Sequence, residues 1–289
     1  LHSDSSFSVN IEFIDSHNQR DSLKNALDSL NLDNYDLLLG PLYSKRVQQI
    51  ADYGVAGKSV NLMSKSPAIQ GLGVYNTVVS EDSFYQMLLE LVNERDSLST
   101  KSVPLIVTKG LSNKCEIFYD GFKNPNKRLI TNDDQWSSNE ALAQLDSTLH
   151  YELIIYDNDP AFMLDVLRNL RSGSVSYSLF ATEYQLFNSG ITNDNFTRES
   201  EVICAMSSYL SYEDLNTLLF VEAFRSHFGT EPNQYAIRGY DIADYHIQRH
   251  LYGGVPMRGI LLGFDFTQDS QNRWVELRRF ENFEWKLLR

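Results

Sequence analysis

Positive charge, cysteine and long apolar runs are what this sequence has least of, and each shortage narrows the field. Lys and Arg number 25 against 38 Asp and Glu, a net charge of −13 at neutral pH. A surface of that sign repels phosphate backbones and anionic lipid, which excludes nucleic acid and anionic membrane surfaces as expected partners. No apolar run approaches the ~18 residues of a membrane-spanning helix. The opening residues, Leu1 to Ser6, lack the charged and apolar regions of a signal peptide, as a mature exported chain also would. The two cysteines, Cys115 and Cys204, are too few for a zinc site. Their apolar surroundings predict buried free thiols, with a disulfide as the other option.

Catalytic signatures are equally sparse. The chain has no P-loop, no Gly-x-Gly-x-x-Gly and no Gly-x-Ser-x-Gly, so phosphate-cradle, dinucleotide and hydrolase-elbow chemistry lack support. Its six histidines are scattered, and only His246 and His250 share the i, i+4 spacing of a metal pair. They are expected as a helix-surface cluster, since no Glu-x-x geometry accompanies them. Asp157 and Asp159 fit helix capping better than calcium, because no spaced series of oxygen ligands follows. The expectation is therefore no metal, no cofactor and no enzymatic activity.

What the chain has is alternation of strand and helix. At 289 residues, with 42% hydrophobic and 22% charged residues, it suits two lobes of ordinary globular composition. Leu37 to Leu39 read as a buried parallel strand, ended by Gly40-Pro41, with Ser44 placed to cap a helix through Val47, Ile50 and Ala51. Such a turn is either a plain stop-and-cap or an anion site at a helix N-terminus. Phe7 to Ile14 alternates as a strand, and Leu23, Ala26, Leu27 and Leu30 mark a helix. Further strands are expected at Ser59 to Met63 and Tyr75 to Val79, then a helix capped by Ser80 with core face Phe84, Met87, Leu88, Leu91 and Val92. After the polar run Asn93 to Thr100, where the first lobe crossing is expected, the alternation resumes. Strands are read at Lys101 to Val107, Arg128 to Ile130, Leu153 to Tyr156, Ser178 to Ala181 and Val202 to Ala205. Helices are read at Asn113 to Phe122, at Asn139 to Leu145, and after Asp159-Pro160, a specific start signal. A last helix, Leu215 to Phe228, is expected to begin with Ser211 as cap and to stop at Gly229.

Three segments carry a resemblance. Tyr35 to Ser44 resembles the "aviGPlyS" segment of the type I periplasmic solute-binding proteins, the branched-chain amino-acid receptor family. Phe220 to Pro232 with Tyr235 to Asp241 is similar to that family's "F…y…fg..P" and "a..gYDa". Gly259 to Phe266, then Asn272 and Val275 to Phe280, are similar to its closing strands. The likeness runs in order over nearly the whole chain and is nearest to a LysM-associated cell-envelope branch of Bacteroidetes-type bacteria.

The resemblance implies two doubly wound α/β lobes: 1–100 with about 231–262, and 101–230 with about 263–289. It also implies that one βα unit, normally at the centre of the first sheet, precedes Phe7 and is missing here. It implies a periplasmic or outer-membrane-attached envelope protein whose partner is an amino-acid-like solute held between lobes. In amino-acid-binding members, hydroxyls and backbone N–H groups hold the ligand carboxylate, positions matched by Ser44, Ser64 and Ser66. An acid after a second-lobe strand pairs with the ammonium, matched by Glu183; Tyr43 and Asp157 complete the expected set. The alternatives are loop caps for the serines and a solvated helix-start acid for Glu183. One departure stands out: the family's "d..yG" aromatic is replaced by Val107-Thr-Lys-Gly-Leu-Ser112. Some envelope relatives keep this fold and act through protein contacts, so the second function the resemblance implies is a ligandless envelope lipoprotein or scaffold that binds a protein or peptidoglycan-associated partner.

Overall fold

A computed structural model describes residues 8–15, 17, 19–63, 73–96, 102–131, 145–188 and 201–288. Ser64, Ser66 and the helix expected from Asn139 lie outside them, apart from Leu145. The chain divides into two compact units, each built from separate stretches.

The first unit comprises Leu1–Val78, Gly239–Val255 and Phe266–Asn272. Its chain runs through α1 (Arg20–Ser29), β1 (Leu38–Leu39), α2 (Ser44–Ala51), β2 (Ser59–Asn61) and β3 (Tyr75–Asn76). The strands pair in parallel in the order β1-β2-β3, Leu38 beside Ser59 and Val60 beside Tyr75. Leu23 and Leu27, one turn apart, bury the inner face of α1 with Ile50 of α2. Leu37 to Leu39 give a parallel strand of two residues, Leu38–Leu39, but not the buried one expected: Leu39 is 43% exposed, and Gly40 turns the chain at φ +113° while its N–H still donates to Val60 O.

Two local expectations are corrected here. Ser44 is the first helical residue of α2, not its cap; the N-cap is Tyr43, which makes no side-chain capping bond. Residues 8–14 are not a strand. Among the described residues no strand pairs with them, and Val9, Ile11 and Phe13 stand exposed, Phe13 by 91%. Alternation alone supplies no partner for backbone N–H and C=O groups.

The second unit comprises Val79–Arg238, Pro256–Asp265 and Arg273–Arg289. It contains α3 (Glu81–Asp96), β4 (Ser102–Thr108), α4 (Asn113–Asp120), β5 (Arg128–Thr131), β6 (His150–Ile155), α5 (Pro160–Ser172), β7 (Ser176–Thr182), α6 (Glu183–Asn188), β8 (Val202–Met206) and α7 (Leu215–Phe228). A helix α8 (Gln234–Tyr252) follows, its residues from Gly239 belonging to the first unit. Then come β9 (Met257–Arg258), β10 (Gly263–Phe264), β11 (Glu276–Glu281) and β12 (Glu284–Leu287). One seven-stranded sheet runs β12-β11-β8-β7-β6-β4-β5, parallel from β5 to β8, with β11 antiparallel on β8 and β12.

The near-continuous apolar strands follow from burial on both faces. Leu105, Val107, Leu153, Ile155, Leu179 and Cys204 face α5, whose Met163, Val166, Leu167 and Leu170 are buried against them. Ile106, Ile154, Phe180 and Ile203 face Phe84, Leu88 and Val92 of α3 and Cys115 and Phe118 of α4. The boundary between units falls at Val78 and Val79, and α3, through Asp96, packs on this sheet. Asp159 caps α5 as read, its Oδ1 accepting from Ala161 N at 2.9 Å. At α7 the cap is Asp214, whose Oδ1 accepts from Asn216 N, and not Ser211.

Candidate functional site

Open parallel sheets present their ligand sites beyond the carboxyl ends of the strands. In the second unit that edge is formed by Thr108 at the end of β4, Tyr156 and Asp157 after β6, Glu183 after β7, and Ser207 and Ser208 after β8.

Glu183 begins α6, and its carboxylate turns to the end of β8. Its Oε2 accepts from Ser207 N at 2.7 Å, Ser208 N at 3.2 Å and Ser208 Oγ at 3.4 Å, while Oε1 accepts from Ser207 Oγ at 2.8 Å. Each carboxylate oxygen has two lone pairs, so Oε2 is fully engaged by three of these donors and Oε1 accepts one. Glu183 thereby ties the ends of β7 and β8 together. Buried Cys204, on β8, has its thiol pushed well up, chiefly by burial and secondarily by this charge.

Gln185 holds the neighbouring strand ends. Its Nε2 donates to Ile155 O at 2.6 Å, Asp157 O at 2.8 Å and Tyr85 Oη at 3.1 Å, and its Oε1 accepts from Thr182 N. Asp157 Oδ1 accepts from Asp159 N at 2.8 Å, a local turn bond. Lys109 Nζ pairs with Asp159 at 2.7 Å, which lowers the Asp159 pKa and raises that of Lys109.

An aromatic does stand at this edge, supplied from elsewhere in the sequence. Tyr156 packs on Tyr85 with ring centroids 4.3 Å apart and on Phe118 at 5.3 Å. Its main-chain O accepts from Thr108 Oγ1 at 3.0 Å. Burial pushes the Tyr156 phenol up to about 12, with the nearby acids Asp82 and Glu81 adding to the effect. Burial likewise raises Tyr85 well above its ordinary value. Sequence reading missed both residues and Gln185, because the expected aromatic was sought after β4 and these come from β6, α3 and α6. Flanking the edge, Leu111, Tyr184 and Phe187 are 54%, 42% and 61% exposed.

In the first unit, Tyr43 is 58% exposed beside the start of α2. Asn61 and Asn76, at the ends of β2 and β3, are joined by a 2.7 Å bond from Asn61 Nδ2 to Asn76 Oδ1. Asn76 Nδ2 in turn donates to Gln271 Oε1 at 2.9 Å. The site set therefore falls into a Tyr43–Ser44 pair in one unit and a Glu183–Asp157 pair in the other. The histidine pair is corrected: His246 is buried beside Tyr75, Tyr245 and Phe266, and burial, helped by Arg249, lowers its pKa to about 3. Among the described residues no group of three or more His, Cys, Asp or Glu is placed to hold a metal ion.

No family model matches the chain, and no curated protein sequence does. Solved structures do. A branched-chain amino acid ABC transporter protein from Rhodospirillum rubrum superposes with a TM-score of 0.64 at 14% identity, over 97% of this chain and 88% of that one. An ABC transporter substrate-binding protein from Desulfitobacterium hafniense, solved in complex with Leu, gives 0.54 at 17% identity over 95% and 87%. Full-length LpoA from Haemophilus influenzae gives 0.51 at 11% identity, over 92% of this chain and 50% of that one. The chain has the mixed α/β fold of the type I periplasmic binding proteins.

Proposed function

We propose that this chain is a non-catalytic binding protein of the cell envelope that engages a polypeptide partner at the carboxyl edge of its second unit. The observation that carries the reading is the engagement of Glu183 by four donors from Ser207 and Ser208, three of them on Oε2. The carboxylate charge is thus spent on internal donors, and a ligand ammonium would find one lone pair, on Oε1, left to accept from it. At the same edge, exposed Leu111, Tyr184 and Phe187 offer apolar contacts of the kind found in protein interfaces. The fold likeness to LpoA, of which this chain spans half, is compatible with this reading.

The second reading is an amino-acid-like solute, with Ser44, Ser64 and Ser66 on its carboxylate, Glu183 on its ammonium, and Tyr43 and Asp157 beside them. The substrate-binding fold and the exposure of Tyr43 next to the α2 N-terminus favour it.

Two measurements separate the readings. Photo-reactive phenylalanine analogues placed singly at Tyr184 and Phe187 are expected to give a discrete polypeptide adduct in the envelope, and their failure to do so refutes the first reading. A thermal-shift screen of amino acids is expected to give no shift. A solute at 100 times its Kd would stabilise by about 2.7 kcal/mol, and such a shift, abolished in Glu183→Gln, would establish the second reading instead.

A further inference from the structure

The edge at which the parallel strands of the seven-stranded sheet begin, opposite to the Glu183 edge, encloses a carboxylate short of partners. Glu152, on β6, is 2% exposed, and its Oε2 has no hydrogen-bond partner among the described residues. It shares a sheet face with Ile154, two residues on, and α3 covers that face. The register sets Glu152 beside Ser178 and Ile154 beside Phe180. Arg95, in the last turn of α3, lies over the Phe180 ring, 5.3 Å from its centroid, and so on the same face. Its guanidinium donates to Glu201 twice, at 2.7 Å from Nη1 and 3.0 Å from Nη2. That pair ties the end of α3 to the residue before β8.

The other groups around Glu152 have partners of their own. From α3, Asp96 accepts from Asn124 Nδ2, which also donates to Ser102 O at the start of β4. On β6, His150 is hydrogen-bonded to Ser176 Oγ at 2.8 Å and Ser178 Oγ at 2.9 Å. Burial lowers the His150 pKa below its ordinary value, so the ring is neutral where Glu152 ionises. Ser178, on β7, also hydrogen-bonds Glu201. From β11, Arg279 reaches Glu201 at 3.7 Å and pairs with Glu281. On α4, Cys115 has its thiol raised by burial and is bonded to Thr108. Arg95 is the cation that acts on Glu152, opposing the burial that pushes this carboxyl up to about 7. One guanidinium thus serves two carboxylates. An ionised carboxylate buried without donors is costly, and the five N–H groups of Arg95 are at hand to relieve it.

We propose that Arg95 is a proton-operated latch on α3, held by Glu201 while Glu152 carries a proton and drawn to Glu152 once that proton leaves to solvent. The exchange weakens the tie between the last turn of α3 and the start of β8. Repulsion between the two carboxylates, once both are charged, favours placing Arg95 against the one that has no other donor. The latched helix also carries Tyr85 to the opposite edge, where it packs on Tyr156, so latch and candidate site share one helix. The inference does not depend on which partner the Glu183 edge takes.

Crystals of the full chain in one form, equilibrated at about pH 5.5 and about pH 8.5 on either side of the Glu152 titration, test it. At the lower pH, Arg95 is expected to keep both bonds to Glu201. At the higher pH, one of its N–H groups is expected within ~3 Å of Glu152 Oε2, with at least one Glu201 bond lost. In solution, a double-mutant cycle of Arg95→Gln and Glu201→Gln, read by urea unfolding, measures the same pair. Their coupling is expected to be a several-fold factor in the unfolding constant at the lower pH and to fall near unity at the higher. In a Glu152→Gln background it is expected to stay several-fold at both, because the competitor is gone. Arg95 in the same bonds at both pH values overturns the proposal, and so does a coupling that ignores pH. A pH dependence that persists in Glu152→Gln assigns the titration to another group, His150 foremost, and overturns it as well.

Discussion

Glu152 makes a measurable prediction about pH. It sits on β6, 2% exposed, on the sheet face that carries Ile154, and its Oε2 has no hydrogen-bond partner among the described residues. Arg95, the cation that acts on it, is committed to Glu201 through two bonds of 2.7 and 3.0 Å. Burial therefore dominates and pushes the Glu152 carboxyl from 4.5 up to about 7; Arg95 opposes the rise, and Asp96 and Glu201 add to it. Below pH 4.5 the group is neutral in both folded and unfolded chains and costs nothing. Between about 4.5 and 7 the unfolded chain releases its proton while the folded one keeps it, so stability falls as pH rises. Each pKa unit is worth 1.36 kcal/mol, which makes the deficit above pH 7 about 3 kcal/mol.

Glu152→Gln removes the titration and keeps the shape. Relative to wild type, the variant is expected to be about equally stable at pH 4.5 and more stable at pH 8 by up to ~3 kcal/mol. For a unit of this size that is roughly 6–12 °C in Tm. Urea unfolding from pH 4.5 to 8, followed by tryptophan fluorescence, reads it out, since Trp274 and Trp285 belong to the second unit. Stability profiles that run parallel for the two proteins, or a variant weaker than wild type at pH 8, would refute the reasoning.

Three further outcomes are expected. Glu183→Gln sets an amide N–H₂ against the Ser207 and Ser208 donors and should cost about 1–3 kcal/mol in the ligand-free protein, measured by urea unfolding. Gly229→Ala should cost about 1–2 kcal/mol of thermal stability, all from the left-handed backbone at φ +68°, because nothing lies within 4 Å of the added methyl. Met163→Ala, fully buried between α5 and the sheet, should cost about 2–5 kcal/mol by chemical denaturation, and a loss under 1 kcal/mol would contradict its place in the core.

Elements that declare themselves locally were legible in the residues. Asp159-Pro160 started α5, Ser80 bonded Ser83 N before α3, and Gly229 stopped α7. The runs at β6, β7 and β8 read as strands because both their faces are buried. Caps failed where the side chain had a rival: Ser211 begins only a turn, and Asp214, nearer the helix, takes the N–H. Phe7 to Ile14 misled because alternation describes a face and says nothing about a neighbour. At the site, Glu183 was legible as an acid after a strand. Its engagement by Ser207 and Ser208 was not, because that bond joins residues 24 positions apart. The burial of Glu152 was likewise hidden, since one acid in an apolar strand carries no local sign of the face it takes.

Connectivity sets an order of assembly. In the first unit, Asn76 Nδ2 donates to Gln271 Oε1, a partner 195 residues later, and the main chain of Asn76 bonds Ser270 and Asn272. At synthesis rates of about 5–20 residues per second, that partner leaves the ribosome roughly 10–40 s after Asn76 does. All the parallel strands of the second unit, β4 to β8, emerge within this interval. The unit that begins the chain is therefore the one whose last contacts are made late. Until Gln271 arrives, β3 lacks these bonds, and newly made chains are most open to proteases and to mispairing at that strand.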